Sequence, residues 1–243
     1  MYKNINKEKV VEDRYYLHFG AACVRGQMAR QNKLHLLGNG LDVGDIFALS
    51  AEQCQQILQI GKQNGVDLHL FKKTSSTLPR ISKVMGFLKG VGLETLVDVG
   101  TGRGAFLLPF LQQFPWVQVT SVEISPSRVQ LLQDLSRGGV GNLSVVSKDI
   151  CQNPLPPNSA DVVTLLEVLE HIPNVADAIL SACSIAKKYV VVSVPSKEDN
   201  NPEHIHLLTK PLLTQYFGQA GVTNLQFDGV NGHLVMIAKK EQK

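Results

Sequence analysis

From Leu93 onward the chain alternates short β-branched runs with longer stretches in which apolar residues recur at helical spacing. That alternation marks βαβ units and hence a parallel sheet with helices on its faces. Strands are predicted at Thr95–Val99, Val117–Val122, Leu143–Ser147, Asp161–Leu166 and Tyr189–Val194, then near Asn224–Phe227 and His233–Ala238. Ser125-Pro126 puts an N-cap before a proline at the first helical position, and Asn174 stands before Val175–Lys187. Asp228-Gly229-Val230-Asn231-Gly232 separates the last two strands by a length that suits a hairpin loop, and so an antiparallel edge. The expected fold class is α/β: a doubly wound, mainly parallel seven-stranded sheet with an antiparallel C-terminal edge, plus an N-terminal helical region.

Before Leu93 there is no strand series. A helix starts at Ser50, where Gln53 completes a capping box, and ends near Asn64-Gly65. A second begins at Pro79, carries the stripe Ile81, Val84, Met85 and Leu88, and stops at Lys89-Gly90-Val91-Gly92. Residues 1–90 thus read as a helical cap region able to cover one face of a ligand cleft, and residues 91–243 as the ligand-binding domain.

At 243 residues, 44% hydrophobic and 19% charged, the chain has a globular composition and buries a sizeable core without disulfides. Cys23, Cys54, Cys151 and Cys183 lie far apart with no C-x-x-C pair, the usage of reduced thiols in a cytoplasmic protein. The N-terminal residues are charged and lead into no apolar run, and apolar runs such as Leu234–Ala238 are strand-sized, so neither secretion nor membrane spanning is expected. Charge is uneven: residues 1–90 carry 13 Lys+Arg against 7 Asp+Glu, residues 91–243 carry 11 against 14. Lys72, Lys73, Arg80 and Lys83 beside Phe71 form a basic group suited to phosphate. With 6% aromatic residues and no further interleaving, a solvated face is the favoured reading.

Leu96-Val97-Asp98-Val99-Gly100-Thr101-Gly102-Arg103-Gly104-Ala105 joins a buried-strand pattern to a helix expected from around Gly104. Alternate glycines permit positive φ and let a ligand approach the backbone. Gly100, Gly102 and Ala105 also satisfy the dinucleotide fingerprint, but a carboxylate at Asp98 repels a pyrophosphate and welcomes an ammonium group. Glu123 ends the second strand, where it can accept hydrogen bonds from a ribose diol, and Asp149 follows the third, where it can accept from an adenine amino group.

These residues resemble the class I S-adenosylmethionine-dependent methyltransferase family, with its D-x-G-x-G-x-G loop and acidic residues ending later strands. The resemblance covers roughly residues 93–240. It implies that Asp98 with Gly100, Thr101, Gly102 and Gly104 holds the methionine end of S-adenosylmethionine, Glu123 its ribose, and Asp149 with the backbone of Ile150 its adenine. Residues 91–243 would be the methyltransferase domain. The loop before the fifth strand departs from the family: Ala186-Lys187-Lys188 replaces its usual Pro-Gly-Gly turn.

Glu167-Val168-Leu169-Glu170-His171-Ile172-Pro173 stands where an open parallel sheet presents its carboxyl ends to ligand. His171 is the candidate general base. Glu167, Glu170 and His171, at i, i+3 and i+4, share a face if helical, and with His204 they are candidate ligands for a divalent metal. This E-x-x-E-H pattern with a later histidine is similar to the metal quartet of small-RNA 3′-end 2′-O-methyltransferases, and it also resembles ubiquinone-pathway O-methyltransferases. The Arg-His-x-Asp-His and Phe-x-Trp features of the RNA enzymes are absent, so the favoured expectation is a simple base with Glu167 lining the cofactor pocket, and a divalent metal is the less favoured alternative. His204-Ile205-His206-Leu207-Leu208-Thr209 resembles the family's H-x-x-x-x-T stretch beside the substrate opening. The expected function is methyl transfer to an oxygen or nitrogen of an unidentified acceptor, small molecule or RNA. The alternatives are a non-catalytic S-adenosylmethionine-binding module and, disfavoured by Asp98, a nicotinamide-dependent oxidoreductase.

Overall fold

The computed structural model describes residues 7–38, 40–66 and 78–241, with side chains from Tyr16 onward. Seven strands form one sheet: β1 (Thr95–Val99), β2 (Gln118–Glu123), β3 (Leu143–Ser147), β4 (Ala160–Leu166), β5 (Ala186–Pro195), β6 (Asn224–Val230) and β7 (His233–Lys239). Their order is β3-β2-β1-β4-β5-β7-β6, with β1 to β5 parallel and β7 antiparallel to both β5 and β6. The fold class is the one the pattern predicted.

Period-two alternation divides the core. Leu96, Val119, Val162, Val191 and Val235 point to one face, where α4 (Leu107–Gln113) and α5 (Pro126–Arg137) pack. Val97, Val99, Val163, Val190 and Val192 point to the other, against α6 (Val175–Ile185) and α7 (Lys210–Gln219). β1 and β4 lie side by side in the sheet while the chain leaves them in opposite directions. A ligand crevice opens outside the carboxyl ends of strands at such a switch point.

Three local expectations are corrected. Gly104–Phe106 form a turn, and α4 begins only at Leu107. β5 takes in Ala186–Lys188, which the sequence divided between the end of the preceding helix and the loop before the fifth strand. The final hairpin is tighter than a five-residue loop: Val230 pairs with His233, leaving Asn231 (φ 42°) and Gly232 (φ 85°) as a two-residue turn with both φ positive, the geometry that matches strand twist.

The N-terminal helices α1 (Lys7–Arg30), α2 (Ala51–Gln63) and α3 (Pro79–Lys89) share a hydrophobic cluster with the α4/α5 face of the sheet. Ser50 and Gln53 cap α2 reciprocally, as expected. α1 and α2 do not cover the ligand crevice; they form a second layer outside α5 and α4. Their approach relies on missing side chains: a Cβ on Gly26 would sit 1.8 Å from the Asp134 carbonyl oxygen, and one on Gly138 would sit 1.8 Å from that of Ala22. Arg25 completes the joint. Its buried guanidinium donates to the carbonyls of Gly138 (2.6 Å), Val43 (3.0 Å) and Gly44 (2.5 Å), and burial lowers its pKa. Asp134, also buried, accepts from Arg30 through two bonds of 3.1 Å and from Arg137 at 3.0 Å.

Gly26→Ala is expected to destabilise the fold by about 3 kcal/mol or more, because two helix backbones must separate. Gly86→Ala, on an exposed helical position with open space around it, should be neutral or stabilising by up to ~1 kcal/mol. Urea unfolding of both variants measures the contrast.

Candidate functional site

β1 runs between β2 and β4 in a register that sets Asp98 beside Ser121 and Thr164. The Asp98 carboxyl is therefore buried among hydroxyls. Thr164 Oγ1 donates to Oδ1 at 2.7 Å, and Thr101 Oγ1 donates to Oδ2 at 2.8 Å while lying 2.6 Å from Ser121 Oγ. Burial pushes the Asp98 pKa up to about 6, partly offset by these two bonds. The carboxyl thereby pulls Thr101 down and shapes the glycine loop above it.

Gly100, Gly102 and Gly104 all take positive φ. At Gly100 a Cβ would lie 2.8 Å from Val168 Cγ2, and at Gly104 one would lie 2.7 Å from Leu108 Cγ, so both allow close packing of the loop. Gly102 is different: a Cβ there would meet only the Gly100 carbonyl oxygen, at an ordinary contact distance of 3.7 Å, and its N–H points to Glu123 Oε2 at 3.3 Å. Glu123 is held in place by the N–H groups of Ile124 and Ser125, both 3.0 Å from Oε1.

These groups wall a cavity of about 540 Å³ at the switch point, lined by Gly100, Gly102, Glu123, Asp149, Ile150 and Glu167 among others. Asp149 Oδ1 accepts from the Cys151 N–H at 2.9 Å, which fixes the carboxylate at the mouth of β3. Asp98, Thr101 and Gly104 are not among the lining residues.

The helix that would put Glu167, Glu170 and His171 on one face does not form after β4. Glu167 takes φ 59°, a costly conformation for this residue type, and only Leu169–His171 make a 3-10 turn. Glu167 consequently leaves the candidate metal group. Its Oε1 accepts from Ser193 Oγ at 2.7 Å and faces Arg80 Nε at 3.7 Å, while Oε2 lies 3.1 Å from His233 Nε2. Glu170, His171 and His204 do come together, with one donor atom from each within 4.8 Å of the others. Glu170 is fully buried, its two carboxylate oxygens have no hydrogen-bond partner among the described residues, and burial pushes its pKa up to about 8. His171 also lines the cavity, and its Nδ1 lies 2.9 Å from the Glu203 carbonyl. A carbonyl only accepts, so Nδ1 carries hydrogen and Nε2 presents the lone pair.

The basic group dissolves where it is described. Arg80 faces Glu167 and Lys83 pairs with Asp228, while Phe71, Lys72 and Lys73 lie outside the described residues.

Residues 67–227 match the family model described as a methyltransferase domain. The chain belongs to this family. Two curated proteins named ribosomal RNA small subunit methyltransferase G, from two strains of Dehalococcoides mccartyi, are 30% and 29% identical over 130 residues, 52% of this chain and 53% of theirs. The chain thus spans about half the length of the curated relatives it matches. Among solved structures, Burkholderia thailandensis 1,6-didemethyltoxoflavin-N1-methyltransferase, with its substrate and S-adenosylhomocysteine bound, superposes with a TM-score of 0.54 at 20% identity, over 71% of this chain and 81% of that one. A [4+2]-cyclase superposes with a TM-score of 0.56 at 15% identity, over 66% of this chain and 81% of that one. At such identities the likeness shows the fold.

Membership makes residues 67–227 an S-adenosylmethionine-dependent methyltransferase domain, and its residues fit that cofactor. The room at Gly102 accepts a ligand against backbone, and two preset carboxylates face the same cavity. Sequence reading missed Val122, Ile124, Arg128, Lys148, Val168 and Ile172 in the cavity wall, and Arg80, Ser193 and His233 around Glu167. Those three converge from α3, β5 and β7, and no local pattern marks them. Among the described residues, no helix is long and apolar enough to cross a membrane.

Asp98→Asn keeps the shape of the buried group and removes its charge. The folded state holds the Asp98 proton more tightly than the unfolded chain, about 6 against 3.8, so the cost of burying the charge is absent below pH 3.8, grows as the pH rises to 6 and is full above it. The stability of the variant relative to the parent should therefore rise by about 2 kcal/mol between pH 4 and pH 7. Urea unfolding at both pH values tests this, and a pH-independent difference would refute it.

Proposed function

We propose that this chain transfers the methyl group of S-adenosylmethionine to an oxygen or nitrogen of an acceptor entering at the carboxyl edge of β4 and β5. The observation that carries the reading is the convergence of Glu123, Asp149 and the exposed backbone of Gly102 on one cavity at the switch point. When bound, the cofactor supplies a methyl group on a sulfonium centre, open to in-line attack.

In this reading Glu123 Oε2 accepts from the ribose, since its partner oxygen is already taken by two N–H groups. The free lone pairs of Asp149 accept from the adenine amino group beside Ile150. Asp98 acts on the methionine end through the loop it shapes, with Thr101 as the link. Glu167, tethered by Ser193, His233 and Arg80, sets the wall between cofactor and acceptor. The Nε2 lone pair of His171 is the group at this wall that can take a proton from an acceptor hydroxyl or amine.

RNA is the acceptor class favoured by the ribosomal RNA methyltransferase relatives, and a small molecule is the class found with the 1,6-didemethyltoxoflavin-N1-methyltransferase neighbour. Incubating the protein with radiolabelled S-adenosylmethionine and fractionated lysate separates them: label should appear in the RNA pool, and label confined to small molecules would select the second class. Label in neither pool, with cofactor binding intact, would favour the non-catalytic module. Glu123→Ala should weaken S-adenosylhomocysteine binding by about 1–3 kcal/mol, the range for leaving hydrogen-bond donors unpaired. Gly102→Val should abolish it, because a branched side chain both resists the positive φ and occupies the ligand's place. Isothermal titration of the two variants checks both expectations, and unchanged affinities would show that the cofactor binds elsewhere.

A further inference from the structure

We propose that Glu170, His171 and His204 form a binding site for one divalent transition-metal ion at the wall of the cofactor cavity. Glu170 supplies the first argument. It is fully buried and neither oxygen of its carboxyl has a partner among the described residues. Native proteins rarely leave such a group unsatisfied, because desolvating it without a partner is costly. A cation between it and the two histidines would satisfy it.

The imidazoles supply the second argument. His171 Nδ1 is tied to the Glu203 carbonyl at 2.9 Å, and His204 Nδ1 lies 2.9 Å from Asp199 Oδ2. Both rings thus use Nδ1 for an oxygen acceptor, and among the described residues neither Nε2 has a hydrogen-bond partner, the outer-shell arrangement that orients metal-bound histidine. The two rings meet edge to face with centroids 4.8 Å apart. A backbone bond from the Ile205 N–H to the Glu170 carbonyl, 2.9 Å, staples the His204 loop against the turn that carries the other two residues.

One candidate donor atom from each residue, either ring nitrogen serving for a histidine, lies within 4.8 Å of the others, and ligands about 2.1 Å from an ion stand roughly 3–4 Å apart, so side-chain rotation can close the site. His171 is exposed and can make it cheaply. Two neutral imidazoles and one carboxylate suit Mn²⁺, Co²⁺ or Zn²⁺ better than Ca²⁺. Three protein donors leave positions for oxygen or nitrogen atoms from the cavity that His171 lines. An ion held by His171 Nε2 takes the lone pair that would otherwise accept the acceptor's proton, so any part for the ion in methyl transfer replaces that role of His171. Such a part rests on the reading above; the binding of the ion does not.

The test is a Co²⁺ titration of the chelator-treated full chain, read by the visible absorption of bound Co²⁺ and by calorimetry. One equivalent should bind. Asp199→Asn, a change at the surface, should weaken binding about 10–100-fold by releasing His204, and Glu170→Gln or His204→Ala should weaken it further. His206→Ala, in the same loop but outside the cluster, should bind as the parent does. Parent protein that gives no Co²⁺ spectrum, or variants that bind as tightly as the parent, would overturn the site. S-adenosylhomocysteine binding, measured on the same preparations, separates the two conclusions: cofactor binding without Co²⁺ binding leaves the methyltransferase reading standing and removes the metal. Co²⁺ binding without cofactor binding does the reverse.

Discussion

The cofactor side of the molecule depends on one buried carboxyl. Asp98 lies in β1, an interior strand of the sheet, where its ionised form is disfavoured by burial and only partly compensated by the hydroxyls of Thr164 and Thr101. That tension has a structural use. Holding Thr101 down onto the strand forces the chain through positive φ at Gly100 and Gly102, and the Gly102 N–H then turns toward Glu123. A line of contacts therefore runs from β1 through the loop to the end of β2, and the cavity wall is preset before any ligand arrives. Preorganisation of this kind lowers the cost of ordering groups on binding.

The two acidic residues of the Glu167–Glu170 segment meet opposite fates three positions apart. Glu167 adopts a strained backbone conformation and is rewarded with three polar partners from distant elements. Glu170 sits in the following turn, packed away from water with none. A uniform helix would have put both on one face. The strain at Glu167 is what breaks that helix, and its tether to Ser193 continues the β4–β5 pairing by one residue past the strand end.

The N-terminal helices solve a separate problem. α1 approaches α5 closely enough that backbone meets backbone at Gly26 and Gly138, and the buried Arg25 gathers carbonyls at the end of α5 and in the loop after α1. A guanidinium suits that place because its fixed fork of donors can satisfy several carbonyls at once. The basic surplus of residues 1–90 is thus partly internal, spent on carbonyls and carboxylates within the fold; Arg30 on Asp134 and Lys83 on Asp228 are further cases.

Strand positions, the doubly wound class, the glycine loop and the strand-ending carboxylates were legible in the chain because each depends on local rules: residue alternation, turn chemistry, and the place of a loop after a strand. Ser50 with Gln53 and the stripe from Ile81 to Leu88 were legible for the same reason. What tertiary structure alone decided is wherever distant elements choose between local options. Asp98 was readable as an acidic residue near the end of a buried strand, yet its hydroxyl partner Thr164 is set by strand register. E-x-x-E-H was readable as one helical face, yet its first glutamate is drawn off by Ser193 and His233, whose sequence positions carry no sign of Glu167. His204 joins Glu170 and His171 through a backbone hydrogen bond across the β5–α7 connection. Spacing along a chain specifies neighbours within a turn or a strand; side chains separated by whole elements meet only when the sheet order brings their ends together.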